Sequence, residues 1–152
     1  MTIRVFILFL IFSNLSNAQL AFEDVASQVG VNYSYGDSEY GGGVSFADFN
    51  NDGWDDITYA SEDGAQIYFF ENNNGIFNLV TLNGISNTYK TKQVIWIDYD
   101  NDGDKDLFVT AIEGVNQFYR NDGVMNFTNI SSTIGFFQTD LFTYGTSFAD
   151  ID

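Results

Sequence analysis

One nine-residue pattern occurs twice in this chain, fifty residues apart, and it constrains the fold more than any other feature. The first copy spans residues 48–56 and reads Asp-Phe-Asn-Asn-Asp-Gly-Trp-Asp-Asp. The second spans residues 98–106 and reads Asp-Tyr-Asp-Asn-Asp-Gly-Asp-Lys-Asp. A third copy starts at Asp150 and Asp152, where the sequence ends. A fixed period of about fifty residues indicates a tandem repeat of one supersecondary unit.

The spacing of the acidic residues predicts a calcium loop. Calcium takes six to eight oxygen ligands, and alternate residues of a tight loop can point their side chains at one centre. Glycine at the sixth position allows the sharp turn, and the seventh residue would offer its backbone carbonyl. Asp55 and Lys105 are expected to face solvent. The predicted Ca²⁺ ligands are Asp48, Asn50, Asp52, Trp54 and Asp56 in the first copy, Asp98, Asp100, Asp102, Asp104 and Asp106 in the second, and Asp150 and Asp152 in the third.

An EF-hand and a metal-free turn fit the pattern less well. An EF-hand closes with a glutamate at position 12 and joins two helices, whereas this loop closes at position 9 between β-rich segments. A solvated turn built from Asp, Asn and Gly would account for one copy, but two copies in register favour a metal site. Because the Asp98 loop has one more carboxylate among its ligands, we expect it to bind calcium more tightly than the Asp48 loop.

The segments around the loops have the composition of short strands. Residues 44–48, 94–98 and 146–150 each carry an aromatic residue two positions before the first ligand. Segments rich in β-branched and aromatic residues follow both complete loops, at residues 57–60 and 107–110. Further on, residues 67–80 and 117–130 read as hairpins around Asn/Gly turns. Four strands per period, without a stripe of apolar residues at helical spacing, predict the blades of a β-propeller.

The predicted fold is therefore all-β: a β-propeller fragment over residues 19–152, with four-stranded antiparallel blades of about 50 residues. Two full blades are expected at about residues 41–80 and 92–130, and the start of a third at about 143–152. Residues 20–25 resemble the last strand of each blade. They are expected to close a blade formed by the other terminus, which would protect a sheet edge. A frayed N-terminal tail is the alternative.

Composition and the N-terminus bear on location. Residues 1–18 have a basic start, a short apolar run and small residues before Ala18, as in a secretory signal peptide cleaved after that residue. The apolar run is too short to span a membrane. The chain has 21 acidic and 5 basic residues, for a formal net charge of −16, so it is expected to repel nucleic acid and anionic membranes. A secreted or cell-surface protein without cysteine, and hence without disulfides, is expected.

Residues 46–57 and 96–107 resemble the FG-GAP/VCBS repeats of integrin α-subunit propellers and of many secreted bacterial proteins. Residues 118–123 and 127–130 are similar to the branch that contains cartilage acidic protein. The resemblance implies a ring of about seven blades, with calcium in loops between the first and second strands of some blades. The chain has no proline, so the family's Gly-Ala-Pro element is absent and integrin ligand modes do not carry over.

The function that these features favour is a calcium-stabilised binding or adhesion scaffold for an extracellular protein or glycan. Contact surfaces are expected in the loops at residues 34–43 and 86–92, which are rich in Tyr and Gly. A polysaccharide-degrading propeller is one alternative, and a surface-layer component that self-associates with calcium is another. With no histidine or cysteine, no catalytic residue is assigned. Only an acid/base pair drawn from Asp24, Glu39, Glu62 or Glu113 would remain.

Overall fold

The computed structural model describes residues 21–36, 41–112, 114–136 and 142–149. They contain two four-stranded antiparallel sheets, each with its strands in chain order. Blade 1 consists of β1 (Val44–Ala47), β2 (Asp56–Tyr59), β3 (Tyr68–Asn73) and β4 (Ile76–Val80). Blade 2 consists of β5 (Lys90–Ile97), β6 (Asp106–Ile112), β7 (Gln117–Asn121) and β8 (Phe127–Asn129). The all-β prediction with four-stranded antiparallel blades is confirmed, and no closed ring is seen among the described residues.

The hairpin turns differ between the blades. Asn74 and Gly75 join β3 to β4 with φ angles of 54° and 89°, the left-handed pair that a two-residue turn requires. In blade 2 the positive φ values fall on Gly123, Val124 and Met125. Since these residues turn the chain, β8 begins only at Phe127. The hairpin predicted over residues 117–130 therefore has its turn at residues 123–125.

Trp96 lies at the centre of the contact between the blades. Its ring stacks on Phe49 with centroids 5.1 Å apart, and Phe69 and Phe127 approach it edge-on at 6.1 Å and 6.0 Å. Its Nε1 donates a hydrogen bond of 2.9 Å to Oγ1 of Thr58 in β2. The aromatic residue two positions before the second loop therefore attaches blade 2 to blade 1.

The opposite face of blade 2 carries a second apolar cluster. Phe108, Phe118 and Ile130 are buried there, and Ile134 and Phe136 pack against them. The ring of Phe148 lies 5.3 Å from that of Phe108. Residues 142–149 thus contact blade 2, although the structure assigns them no strand. Whether a further blade starts at about residue 143 stays a prediction, because residues 150–152 lie outside the described part.

The N-terminal segment forms no strand where one was expected. Residues 21–25 have no regular structure, and the Phe22 side chain is 95% exposed. Each described blade already has four strands, none of which comes from this segment. The expected role of residues 20–25, to close a blade formed by the other terminus, therefore stays a prediction. The short helix α1 (Ala26–Val29) follows and ends at Gly30, whose φ is 93°. No sequence pattern indicated α1, since four residues make barely one helical turn.

Tyr33 connects this segment to blade 1 through ring contacts of 5.3 Å with Tyr68 and 5.1 Å with Phe70. Within the described residues, none of the helical structure is long and apolar enough to span a bilayer. The signal-peptide prediction for residues 1–18 falls outside the described part of the chain.

Candidate metal centres in the two acidic loops

Both acidic loops connect the first and second strands of their blades. We name residues 48–56 loop 1 and residues 98–106 loop 2. Their backbones share one conformation: the fourth residues, Asn51 and Asn101, have φ angles of 60° and 59°. The sixth residues, Gly53 and Gly103, both have a φ of 93°. A Cβ at either glycine would meet no atom within 4 Å, so the left-handed backbone, not crowding, is what requires glycine.

The first carboxylate of each loop turns back over the glycine. Asp48 Oδ2 accepts a hydrogen bond of 2.8 Å from the Gly53 N–H, and its Oδ1 accepts one of 3.0 Å from the Asp52 N–H. Asp98 Oδ2 accepts one of 3.1 Å from the Gly103 N–H. Asp98 Oδ1 is buried and has no hydrogen-bond partner in the structure. A buried carboxylate oxygen without a partner is costly and rare, so loop 2 has an oxygen ready for a cation.

The ninth carboxylates fasten each loop to its own sheet. Asp56 Oδ2 accepts a hydrogen bond of 3.0 Å from the Phe49 N–H, and its Oδ1 accepts one of 2.8 Å from the Asn72 N–H. Asp106 repeats this geometry with the N–H groups of Tyr99, at 2.7 Å, and Asn121, at 2.8 Å. Both carboxylates are completely buried. Each closing aspartate thus joins the start of the loop to the third strand of the blade.

Burial raises the pKa of both Asp56 and Asp106, because it disfavours the charged carboxylate. The two backbone N–H donors to each group act in the opposite direction and lower the pKa. Neighbouring loop carboxylates, Asp52 and Asp48 in loop 1 and Asp100 and Asp102 in loop 2, raise it further. A bound cation would favour the charged forms and offset this repulsion.

Sequence reasoning missed Asn72 and Asn121, which hold the closing aspartates. Their side chains also stabilise the hairpins: Asn72 Oδ1 accepts a hydrogen bond of 2.7 Å from the Gly75 N–H, and Asn121 Oδ1 accepts one of 3.1 Å from the Gly123 N–H. Both residues are buried. The two asparagines occupy the same position in their repeats, and this match is the feature of the sequence that could have identified them.

The structure brings part of the predicted ligand set of loop 2 together. Carboxylate oxygens of Asp98, Asp100 and Asp106 lie within 4.8 Å of one another. Asp102 instead turns its Oδ1 toward the Asp104 N–H, at 2.9 Å. Three convergent carboxylates, one of which has a buried oxygen without a hydrogen-bond partner, match the ligands that calcium prefers. The donor set therefore fits a calcium ion.

Loop 1 has an amide where loop 2 has its third-position carboxylate. Asn50 Nδ2 donates hydrogen bonds of 3.1 Å to Asp52 Oδ2 and 3.3 Å to Oε1 of Glu71. At the seventh position the Trp54 N–H donates to Asp52 Oδ1 at 2.9 Å, and the Trp54 side chain is half-exposed. Asp55 faces solvent, as expected. Glu71 therefore adds a carboxylate to loop 1 from strand β3.

The position in blade 2 that is equivalent to Glu71 is occupied by Arg120, which has the opposite charge. Arg120 forms an ion pair of 2.7 Å with Asp122. The hydrogen bond and charge of Asp122 raise the pKa of Arg120 most, and the charges of Asp100 and Asp106 also raise it. The Arg120 guanidinium therefore interacts electrostatically with the carboxylates of loop 2. Neither Glu71 nor Arg120 was among the predicted site residues, because each is more than a dozen residues from its loop in sequence.

The family model of the FG-GAP-like repeat matches residues 48–109 and again residues 98–152. Both matches begin at the first aspartate of a loop. The chain belongs to the FG-GAP-like repeat family. This confirms the resemblance inferred from the loops, and it agrees with the repeated geometry of loop 1 and loop 2 in the structure.

One curated relative of this FG-GAP-repeat chain is cartilage acidic protein 1 of Xenopus tropicalis. The two are 36% identical over 94 residues, which make up 60% of this chain and 14% of that protein. The chain thus spans about a seventh of the length of this relative. No solved structure matches the chain.

The predicted contact loops are partly engaged within the protein. Tyr35 donates a hydrogen bond of 2.7 Å from its hydroxyl to the Thr91 carbonyl. The Lys92 ammonium lies 5.1 Å from the centre of the Tyr35 ring and donates to the Gly41 carbonyl. Residues 37–40, including Glu39, lie outside the described part, as do Glu113, Asp150 and Asp152. A partner-binding role for residues 34–43 and 86–92 stays a prediction.

Proposed function

We propose that this FG-GAP-repeat protein is an exported, calcium-binding β-propeller that acts as a binding or adhesion scaffold. The observation that carries the proposal is the geometry of loop 2. Three carboxylates converge within 4.8 Å, and one of their oxygens, Asp98 Oδ1, is buried without a hydrogen-bond partner. A calcium ion would coordinate that oxygen and offset the mutual repulsion of the carboxylates.

Calcium in these loops would stabilise the blades. The closing carboxylates already hold the second residue of their loop and the third strand of their blade through N–H groups. An ion shared between the first and ninth positions would therefore tie three parts of one blade together. The chain has no cysteine that could form a disulfide, so metal ions would supply the cross-links of an exported protein.

Three observations support a place outside the cell. Residues 1–18 have the pattern of a secretory signal. The formal net charge of −16 lies to a large part in the two loops, where the calcium found outside cells would offset it. The relative is named as an acidic protein of cartilage, a tissue that consists largely of extracellular matrix. Calcium is abundant outside cells, so weak loops of the 10⁻⁴ to 10⁻³ M class would be filled there.

An extracellular protein or glycan is the proposed partner. Trp54 and Tyr99 expose about half of their surfaces, 48% and 46%, beside the two loops. Exposed aromatic residues provide rigid contact area for either class of partner. Because they belong to the calcium loops, partner binding through them would depend on calcium.

Calorimetric titration of the full chain with calcium tests the metal sites. Calcium binding is expected in the millimolar range or tighter, with a rise in the melting temperature. Asp98→Asn should weaken binding in loop 2 at least tenfold, because it removes a ligand charge. Asp55→Asn is the matched control, since Asp55 is exposed and outside the predicted ligand set. A chain that takes up no calcium, or an Asp55→Asn variant as weak as Asp98→Asn, would refute the metal sites.

The scaffold role needs a separate measurement. Arrays of extracellular matrix proteins and glycans, probed with the full chain in calcium and again in a chelator, should show a partner that is retained only in calcium. Trp54 would offer the ion only its backbone carbonyl, so Trp54→Ala is expected to weaken that retention without removing a calcium ligand. Turnover of a polysaccharide by the chain would contradict a non-catalytic scaffold.

A further inference from the structure

Loop 1 reaches across the blade boundary to loop 2 through the side chain of Asn51. The Asn51 Nδ2 donates a hydrogen bond of 3.1 Å to the Gly103 carbonyl and another of 3.2 Å to Oδ1 of Asp104. Asn51 stands fifty-two residues before Gly103. The two candidate calcium loops are therefore in direct contact.

The position of the Asn51 amide depends on the shape of loop 1. Asn51 has a φ of 60° and lies between the third and fifth ligand positions, Asn50 and Asp52. The Asp52 N–H is held by Asp48 Oδ1 and by Asn50 Oδ1, both at 3.0 Å. An ion that fixes these oxygens would also fix the direction of the intervening side chain.

On the side of loop 2, Asn51 holds a peptide group that precedes an expected ligand. The peptide between Gly103 and Asp104 accepts from Asn51 through its carbonyl and donates to Asp102 Oδ1 through its N–H, at 2.9 Å. The Asp104 carbonyl, the expected seventh-position ligand, comes next in the chain. Constraint of this peptide from both sides reduces the freedom that loop 2 must lose when it binds an ion.

We propose that Asn51 is a positioning residue that couples the two calcium loops, so that calcium in loop 1 strengthens calcium binding in loop 2. The coupling rests on the proposed calcium sites and is reciprocal by thermodynamic linkage. It gives loop 1 a regulatory role: its occupancy would set the calcium concentration at which loop 2 fills.

Asn101 provides the matched control. It occupies the same loop position with nearly the same φ, 59°, yet its side chain makes no hydrogen bond to any part of the chain that the structure describes. Glycine adopts these φ values at no steric cost. Asn51→Gly and Asn101→Gly thus each remove a side-chain amide without adding backbone strain, and only Asn51→Gly removes a contact between the loops.

The experiment is a calcium titration of the full chain followed by two-dimensional amide NMR. The Gly53 N–H donates to Asp48 and the Gly103 N–H donates to Asp98, so each glycine signal reports its own loop. Asn51→Gly is expected to raise the dissociation constant reported by Gly103 about fivefold, at the lower end of usual coupling between sites. Asn101→Gly should leave the constant reported by Gly53 unchanged within twofold.

The outcomes separate the coupling from the calcium sites themselves. If neither glycine signal responds to calcium, the proposed function fails and the coupling fails with it. If both respond but Asn51→Gly, or an Asp48→Asn variant that removes a loop 1 ligand charge, changes the Gly103 constant by less than twofold, the calcium sites stand and the coupling is wrong. The coupling is also wrong if Asn101→Gly weakens loop 1 as much as Asn51→Gly weakens loop 2, because the effect would then be a general loosening of the loops.

Discussion

Trp96 and Phe46 occupy the same position in two successive repeats, but their surroundings differ, so replacing each with alanine tests what holds the blades together. Trp96 packs among the rings of Phe49, Phe69 and Phe127. Phe46 is 64% exposed. We expect Trp96→Ala to destabilise the chain strongly and Phe46→Ala to have little effect.

The magnitudes follow from the contacts. Truncation of a buried tryptophan to alanine costs about 3 to 5 kcal/mol. Trp96 is only partly buried, so the lower end, about 3 kcal/mol, applies. Its hydrogen bond to Thr58 contributes about 1 kcal/mol of this. Trp96→Phe loses that hydrogen bond but keeps an aromatic ring, so it should cost less than Trp96→Ala. For Phe46→Ala, a change at an exposed position is worth about 0.5 kcal/mol or less.

The assay is urea unfolding of the full chain in saturating calcium, followed by far-ultraviolet circular dichroism. Calcium is held constant because binding to the native state adds to the apparent stability. Equal losses of unfolding free energy in the two alanine variants would refute the packing role of Trp96. A Trp96→Ala cost below about 1 kcal/mol would refute it too, since the ring contacts would then contribute almost nothing.

Three further predictions concern charge. Because Glu71 adds negative charge beside loop 1 and Arg120 adds positive charge beside loop 2, Glu71→Arg should weaken calcium binding in loop 1 and Arg120→Glu should strengthen it in loop 2. Each change should be on the order of tenfold at low salt and smaller at high salt, as measured by calorimetry. If loop 2 binds calcium more tightly, Asp102→Ala should cost more total affinity than Asp52→Ala in the same titration, and the reverse order would contradict that ranking. Burial raises the pKa of Tyr119 from 10.0 to about 12, so the unfolded chain releases this proton first and stability should fall by about 2 kcal/mol between pH 10 and pH 12. A Tyr119→Phe variant that shows the same alkaline loss would rule out this cause.

Much of the fold could be predicted from the sequence because the repeated pattern marks where each structural unit begins and ends. Alternating apolar segments and the Asn/Gly turn predicted blade 1 almost strand for strand, with β3 and β4 inside the hairpin expected at residues 67–80. Pairing between neighbouring segments then leaves few topologies. The sequence could not show which face of a blade meets its neighbour. That choice depends on contacts such as the one between Trp96 and Thr58, which are thirty-eight residues apart.

Only part of the candidate site could be predicted from the sequence, for a physical reason. Oxygen-bearing side chains at alternate positions are a chemical requirement of calcium, so the pattern identified residues such as Asp98 and Asp106 directly. Asn72 and Asn121 support the closing aspartates through backbone N–H groups, which nearly every residue type possesses. Glu71, Arg120 and the contact of Asn51 with loop 2 depend on the folding of distant segments.

A crystal structure of the full chain grown with calcium, with an anomalous difference map, tests the central claim most directly. We predict an ion in loop 2 at about 2.3 to 2.6 Å from the Asp98 Oδ1 oxygen, with Asp100 and Asp106 among its ligands, and a second ion in loop 1. A map at millimolar calcium that shows no ion in either loop, with Asp98 Oδ1 hydrogen-bonded to a water molecule or to the protein, would contradict it.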